Sequence, residues 1–288
     1  MDQSARIAAV VVFYNPDRSY VDNIRCYAGD VERVYVVDNS DVILPGLLAE
    51  LADIPQVDYI PNAGNLGIAT ALNIGIKQAM DAGFDFVLTM DQDSTATPGM
   101  VKGLLDCYYA SGGTSVGIVT PYHQLGDRSE PPSEDIQEVE VAMASGNLIN
   151  CEVFKAAGMF RDDYFIDYVD HEYCLRLRQH GYRIVRANRA VLKHRLGAMT
   201  WHRILWKRVK VGNHPPVRRY YSYRNRFHLH RQYKDAFPTY FSSFYRNMVM
   251  EIIGLLLFER QKTAKLTMML QGYRDYRRGV WGRYEERR

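Results

Sequence analysis

The sequence predicts an α/β fold, an open and mainly parallel sheet flanked by helices and followed by a helical C-terminal region. Two observations carry this. Apolar, β-branched runs alternate with helix-period segments four times within the first ninety or so residues, the pattern of buried parallel strands joined by crossover helices. Beyond Pro215-Pro216 the periodicity is helical throughout and the composition turns basic and aromatic. This marks a boundary between a domain at 1–214 and a region at 215–288.

The elements follow in order. Ile7 to Phe13 and Val34 to Val37 read as strands ending in polar turn residues, with a short helix from Tyr20 to Tyr27 between them. A helix from Leu44 to Leu51 and a strand near Val57 to Ile60 come next. Ile68, Leu72, Ile76 and Met80 recur every four positions, so a helix runs from Gly67 to about Ala82 and stops before Gly83. Phe84 to Met90 is a strand that delivers the chain to Asp91. After Pro98 come a helix to about Ala110 and a strand at Val116 to Thr120. A polar loop from His123 to Asp135, with Gly126, Pro131 and Pro132, has the composition of a lid, an acceptor-side insertion or a plain surface loop. A helix from Asp170 to His180, closed by Gly181, and a strand from Tyr182 to Val185 complete the domain at 1–214.

With 47% hydrophobic and 24% charged residues the chain has ordinary globular composition. Four widely spaced cysteines, Cys26, Cys107, Cys151 and Cys174, form no metal or disulfide framework and read as buried thiols of a reducing compartment, with the cytosol as default. A polar start followed directly by a strand is unlike a signal peptide. The longest apolar run, Met248 to Phe258, is interrupted by Glu251 and is short of the roughly 20 residues a bilayer crossing needs. The net charge of +3 conceals an asymmetry: residues 1–175 sum to −18 and residues 176–288 to +21. The basic part suits an anionic partner such as a diphosphate, a lipid headgroup or nucleic acid, or is ordinary solvated charge.

Open α/β sheets bind ligands outside the carboxyl ends of their strands, and Asn15, Asp38, Asn39 and Asp91 all fall there. Asp91-Gln92-Asp93 places two carboxylates on one side of an extended turn, where hard oxygen ligands suit Mg²⁺ or Mn²⁺; capping aspartates give similar triplets. Asp38 and Asn39 offer an acid and an amide to the imide edge of a base. Asn62 to Gly67 forms a turn before a helix N-terminus, with Asn65 and Gly67 placed either to contact phosphate or ribose or to cap the helix. Asp167, Asp170 and Glu172 gather at the next helix start, where a carboxylate can act as general base or simply complement the helix dipole. His194, in Leu192-Lys193-His194-Arg195, is a further metal ligand or a structural histidine.

These segments resemble, in the same order, those of family 2 inverting glycosyltransferases of the GT-A fold, in the rhamnosyltransferase-like branch. The matching pieces are Val11 to Pro16, Val37 to Ser40, Asn62 to Asn73 (NAGNLGIATALN), Met90 to Ser94 (MDQDS), Ser145-Gly146-Asn147, Tyr168 to Tyr182 and His194. The resemblance implies that Asp38 and Asn39 hold the donor base, with Asn15, Asn65, Gly67, Asp91 and Gln92 on the donor side. It implies Asp91 and Asp93 as holding the metal and diphosphate, His194 as a further metal or phosphate contact, Asp170 as base, and Gly146, Asn147 and Glu172 toward the acceptor. Related proteins often carry adjacent Glu-Asp where this chain has Val169-Asp170, with Glu172 two residues on. The segment Arg219 to Asn225 resembles that of rhamnosyltransferase-like members and points to dTDP-rhamnose as donor. The acceptor expected is a hydroxyl of a lipid-linked glycan of bacterial cell-surface polysaccharide.

Between Tyr240 and Tyr276 apolar and aromatic residues recur at helical spacing among Arg246, Arg260, Lys262 and Lys265. Such a stripe lies in a membrane interface at the cytoplasmic face of the inner membrane, packs on the catalytic domain, or joins two copies as a homo-oligomer. A competing reading makes the chain a non-catalytic binder of nucleic acid or another anionic surface through Arg218 to Lys234. That reading leaves the strand-end acids unexplained, so no nucleic-acid partner is expected. A nucleotidyltransferase would need a glycine-rich triphosphate loop, which the sequence lacks.

Overall fold

A computed structural model describes residues 5–125, 130–194, 200–204 and 207–285. The backbone divides into two compact units, residues 1–162 with 169–195, and residues 163–168 with 196–288.

The first unit is built on strands β1 (Ile7–Phe13), β2 (Arg33–Asp38), β3 (Val57–Pro61), β4 (Phe86–Asp91), β5 (Ser94–Ala96), β6 (Val116–Gln124), β7 (Ile136–Glu138), β8 (Asn147–Asn150) and β9 (Arg183–His194). Helices α1 (Tyr20–Ala28), α2 (Leu47–Ala52), α3 (Ile68–Asp81), α4 (Met100–Ala110), α5 (Cys151–Ala157) and α6 (Val169–Gln179) accompany them. Among the described residues these strands form one sheet in the order β3-β2-β1-β4-β8-β6-β9-β5, with β7 also paired to β9. The β1–β2, β1–β4, β2–β3 and β6–β9 pairs are parallel. Those of β8 with β4 and β6, and of β9 with β5 and β7, are antiparallel. The sheet is therefore mixed, and its central parallel strands β1, β2 and β4 are nearly continuous apolar runs.

Every residue of β1 is buried, as a central parallel strand covered on both faces requires. Its register sets Val12 beside Val37 and Asp91 and Phe13 beside Asp38, so β1, β2 and β4 deliver their polar ends to one edge. The strand expected at Tyr182 to Val185 runs on through His194. Its second half is held by β5, which is too short for any periodicity to reveal. Of the thiols, Cys107, Cys151 and Cys174 are buried but Cys26 is exposed. Burial raises the Cys151 and Cys174 thiols to about 12. Of the polar loop at 123–135, residues 126–129 lie outside the described residues; on either side β6 reaches Gln124 and β7 begins at Ile136.

The second unit contains the hairpin β10 (Thr200–Ile204) and β11 (Lys207–Val211) and helices α7 (Pro216–Tyr233), α8 (Pro238–Phe241), α9 (Phe244–Phe258) and α10 (Lys262–Arg278). Pro216 opens α7, where a missing N–H costs nothing. Helices α7 and α10 cross with their backbones touching: a Cβ on Gly272 would run into the Tyr220 carbonyl. Pro238–Phe258 spans 21 residues, and its apolar window has a mean hydropathy of 1.2 with 17% buried. By length and composition this segment reaches what a bilayer crossing requires, beyond the shorter run visible in the sequence.

Candidate active site

The carboxyl ends of β1, β2 and β4 carry a network of side chains that bond mostly to one another's backbone. Asp38 is buried; it accepts hydrogen bonds from the Tyr59 hydroxyl at 2.7 Å and from the Ser40 N–H at 2.9 Å. Burial, followed by the bond to Asp38, pushes the Tyr59 hydroxyl well above its ordinary value. Asn39 donates to the Gly67 carbonyl at 3.0 Å and accepts from Asn62 Nδ2 at 2.9 Å, so its amide fixes the 62–67 turn. Asn65 accepts from the Gly67 N–H at 2.9 Å, as an Asx turn does ahead of a helix. Asn15 has left-handed backbone (φ 45°) and its N–H donates to Ser40 Oγ.

Gln92 ties the tip of the acidic turn to the end of β1. Its Oε1 accepts from the Tyr14 N–H at 2.9 Å, and its Nε2 donates to the Tyr14 carbonyl at 3.2 Å. Asn23 Nδ2 donates to the Gln92 carbonyl at 2.8 Å, and Asn23 Oδ1 accepts from Thr95 Oγ1. The turn is thus braced from α1 as well as from β1.

His194 is brought to the acids by strand pairing across 100 residues of sequence. The antiparallel β5–β9 pair sets Ser94 opposite His194, one residue from Asp93. Asp91, Asp93 and His194, all partly buried, offer ligand atoms that lie within 4.8 Å of one another. Two carboxylate oxygens and one imidazole nitrogen make a donor set that fits a divalent cation such as Mg²⁺ or Mn²⁺.

The loop before β8 lies against the same edge. Thr89 Oγ1 donates to the Ala144 carbonyl at 2.5 Å, and the Gly146 N–H donates to the Thr89 carbonyl at 2.6 Å. Gly146 has φ +82°, and a Cβ there would stand 2.6 Å from Pro121 Cγ and 2.8 Å from Leu192 Cδ2; only glycine fits. Asn147 follows, buried in β8. His123 Nε2 meets the Ser145 carbonyl at 2.7 Å, and burial lowers the His123 pKa.

At the start of α6 the two candidate acids differ. Glu172 is 0% exposed and bonds to Arg176 through both oxygens, at 3.1 and 3.0 Å. Arg176 also donates to the carbonyls of Ala157 and Met159, so Glu172 belongs to a structural clamp. Asp170 is partly exposed in the first turn and accepts from the His171 N–H at 2.8 Å. The i,i+4 spacing of Glu172 and Arg176 is visible in the sequence and is the signal that separates the two. Tyr59 and Asn23 were missed because an aromatic in a strand and an amide in a helix carry no motif of their own.

With this geometry in hand, the comparisons decide the family. Residues 18–180 match the model of glycosyl transferase family 2. The chain belongs to that family. It is 30% identical over 291 residues to the dTDP-rhamnosyl transferase RfbF of Shigella flexneri, covering 92% of each chain. Among solved structures it is similar to GalNAc-T7 with UDP, GalNAc and Mn²⁺ (TM-score 0.56, 14% identity), over 78% of this chain and 48% of that one. It is also similar to residues 1–349 of Staphylococcus aureus TarS in complex with UDP-GlcNAc (TM-score 0.55, 12% identity), over 94% of this chain and 73% of that one. At such identities these structures establish the GT-A fold of the family 2 enzyme and leave its substrates to the site. The chain is a glycosyltransferase, which sets aside the reading of a non-catalytic binder.

Proposed function

We propose that this glycosyltransferase moves rhamnose from dTDP-rhamnose to a hydroxyl of a lipid-linked glycan, with inversion, in cell-surface polysaccharide synthesis. The observation that carries the donor is the 30% identity to a dTDP-rhamnosyl transferase across 92% of both chains. Catalysis is assigned to residues 1–214. Asp38 and Asn39 hold the base, with Asn15, Asn65 and Gly67 around the ribose and phosphates. Gln92 acts at one remove, through the Tyr14 backbone it bonds. Asp91, Asp93 and His194 would hold Mg²⁺ or Mn²⁺, and when bound the ion neutralises charge on the departing diphosphate. Asp170 takes the proton from the acceptor hydroxyl as that oxygen attacks the anomeric carbon from the face opposite the nucleotide. Gly146 and Asn147 shape the acceptor side, and Glu172 holds the first turn of α6 through Arg176.

The helical region at 215–288 meets the cytoplasmic face of the inner membrane, where the acceptor's lipid is anchored, or a second copy of the chain. α9 exposes Tyr245, Val249, Leu256 and Leu257 along with Arg246, and exposed Arg260 and Lys262 follow it in sequence, the composition of an interfacial surface. The test is Asp170→Asn, assayed for transfer and, by calorimetry, for donor binding. Transfer falls by about 10²- to 10⁴-fold while the donor dissociation constant holds. An Asp170→Asn enzyme of full activity contradicts the assignment.

A further inference from the structure

Two serine hydroxyls connect the candidate metal ligands from beneath. The Asp91 N–H donates to Ser145 Oγ at 3.0 Å. Ser145 Oγ donates to Ser94 Oγ at 2.8 Å. Ser94 Oγ lies 2.8 Å from His194 Nδ1. The run starts at the backbone of one ligand and ends on the ring of another, on strands β4 and β9, which do not pair with each other. Ser94 and Ser145 are 0% and 1% exposed, so solvent does not compete for these bonds. Ser145 is itself fixed from two sides, by His123 on its own carbonyl and by the bond from the Gly146 N–H to Thr89.

The proton on the ring decides what His194 can do. A neutral imidazole has one N–H and one lone pair. If Ser94 donates to Nδ1, the ring N–H sits on Nε2 and that nitrogen cannot bind an ion. If the ring donates Nδ1–H to Ser94 Oγ, Nε2 carries the lone pair. Ser94 Oγ can accept that bond together with the one from Ser145, since a hydroxyl oxygen has two acceptor positions, at the cost of turning its own buried O–H away from the ring. Ligating histidines as a rule donate their second ring N–H to a neighbouring acceptor, which fixes both tautomer and orientation.

We propose that Ser94 and Ser145 are positioning residues for the metal site: Ser94 accepts the His194 Nδ1–H and so turns Nε2 toward Asp91 and Asp93, and Ser145 locks Ser94 to the backbone of Asp91. This rests on the metal reading given above and assigns roles to two side chains outside the ligand set.

The experiment uses the full chain, with Mn²⁺ alone as the probe. Nitrogen NMR of histidine-labelled protein, at a pH where the ring is neutral and with His194→Ala to identify the signal, gives the tautomer without metal. The expected result is Nδ1–H in the wild type, shifting toward Nε2–H in Ser94→Ala and returning in Ser94→Thr. Mn²⁺ titration followed by electron paramagnetic resonance should show affinity about 10- to 100-fold weaker in Ser94→Ala and weakened by a smaller factor in Ser145→Ala. An Nε2–H ring in the wild type overturns the inference. So does wild-type Mn²⁺ affinity in Ser94→Ala when Asp93→Ala has lost it, and in that case the metal reading stands. Equal Mn²⁺ binding by wild type and Asp93→Ala sinks the metal reading and this inference together. Should Ser94→Ala not fold, the wild-type tautomer and Ser145→Ala decide.

Discussion

At the ends of β4 and β9, Asp91, Asp93 and His194 bring ligand atoms within 4.8 Å of one another. In the helical unit, by contrast, the Glu259 carboxylate is taken up by Arg219 at 2.5 Å and by Lys265 Nζ at 2.6 Å. Arg219 also pairs with Glu251, which in turn meets Arg226 at 2.7 Å. The first region sets acid beside acid, an arrangement that costs folding energy and serves an incoming cation. The second sets acid against base in the interior, where each group's desolvation is offset only while its partner is present. Part of the +21 charge of residues 176–288 is therefore consumed internally: Arg219, Arg224 and Lys265 are all buried. The exposed remainder, including Arg246, Arg260 and Arg274, is what a surface or ligand can meet.

The helical unit also holds a strained segment. Phe165, Asp167 and Tyr168 have φ of 64°, 63° and 64°, a conformation that costs non-glycine residues on the order of 1–3 kcal/mol each. Asn225 Nδ2 donates to the carbonyls of Tyr164, Ile166 and Asp167, and Arg224 donates to those of Asp163, Tyr164 and Gly282. Arg218 pairs with Asp167, and Phe165 stacks on Tyr221 at 4.9 Å. The Arg219 to Asn225 motif thus has a structural task inside its own unit.

The sharpest break in this contrast is Glu259→Ala, which leaves buried Lys265 without its carboxylate and Arg219 with Glu251 alone, and should destabilise the helical unit by about 3–5 kcal/mol. Trp281 stacks on His228 within that unit, so urea unfolding followed by tryptophan fluorescence reports on it. Asn225→Ala leaves buried carbonyls without their donor, and a loss of about 2–3 kcal/mol is expected in the same assay.

Acid should weaken the helical unit further. Burial alone would raise the Glu259 carboxyl, but the Lys265 bond and the Arg219 and Lys265 charges outweigh it and hold the group below its ordinary value. A carboxyl lowered by folding stabilises above its unfolded value, and that stabilisation is lost as pH falls through the folded one. Urea midpoints should therefore drop on the acid side, and Glu259→Gln should flatten that limb. The smallest effect belongs to Asp93→Asn. Relieving like charge should leave stability within about 0.5 kcal/mol of wild type or raise it, while transfer is lost. A large loss of stability there would mean the acids serve the fold.

Much of this was legible in the sequence because the central parallel strands β1, β2 and β4 are nearly continuous apolar runs. Ile7–Phe13 and the helix at 68–81 fall where periodicity places them. Of the antiparallel part, β6 and the first residues of β9 were legible at Val116 to Thr120 and Tyr182 to Val185, and the rest was not. β5 and β8 are three and four residues long, and β9 includes Arg186, Asn188, Arg189 and Lys193, whose polarity hides a strand. The chemistry of Asp91 and Asp93 could be read from their spacing, whereas the nearness of His194 depends on the β5–β9 register. The mutual bonding of Asn39, Asn62 and Gly67 depends on the fold, since an amide at a strand end looks alike in sequence whether it meets a ligand or a neighbouring turn.

The most direct test of the central claim is calorimetric titration of the purified chain with dTDP-rhamnose, UDP-glucose, UDP-galactose and GDP-mannose, with and without Mn²⁺ or Mg²⁺. The account predicts tightest binding of dTDP-rhamnose, dependent on the cation and lost in Asp93→Ala. Preference for another donor, or binding indifferent to both the cation and Asp93, would contradict it.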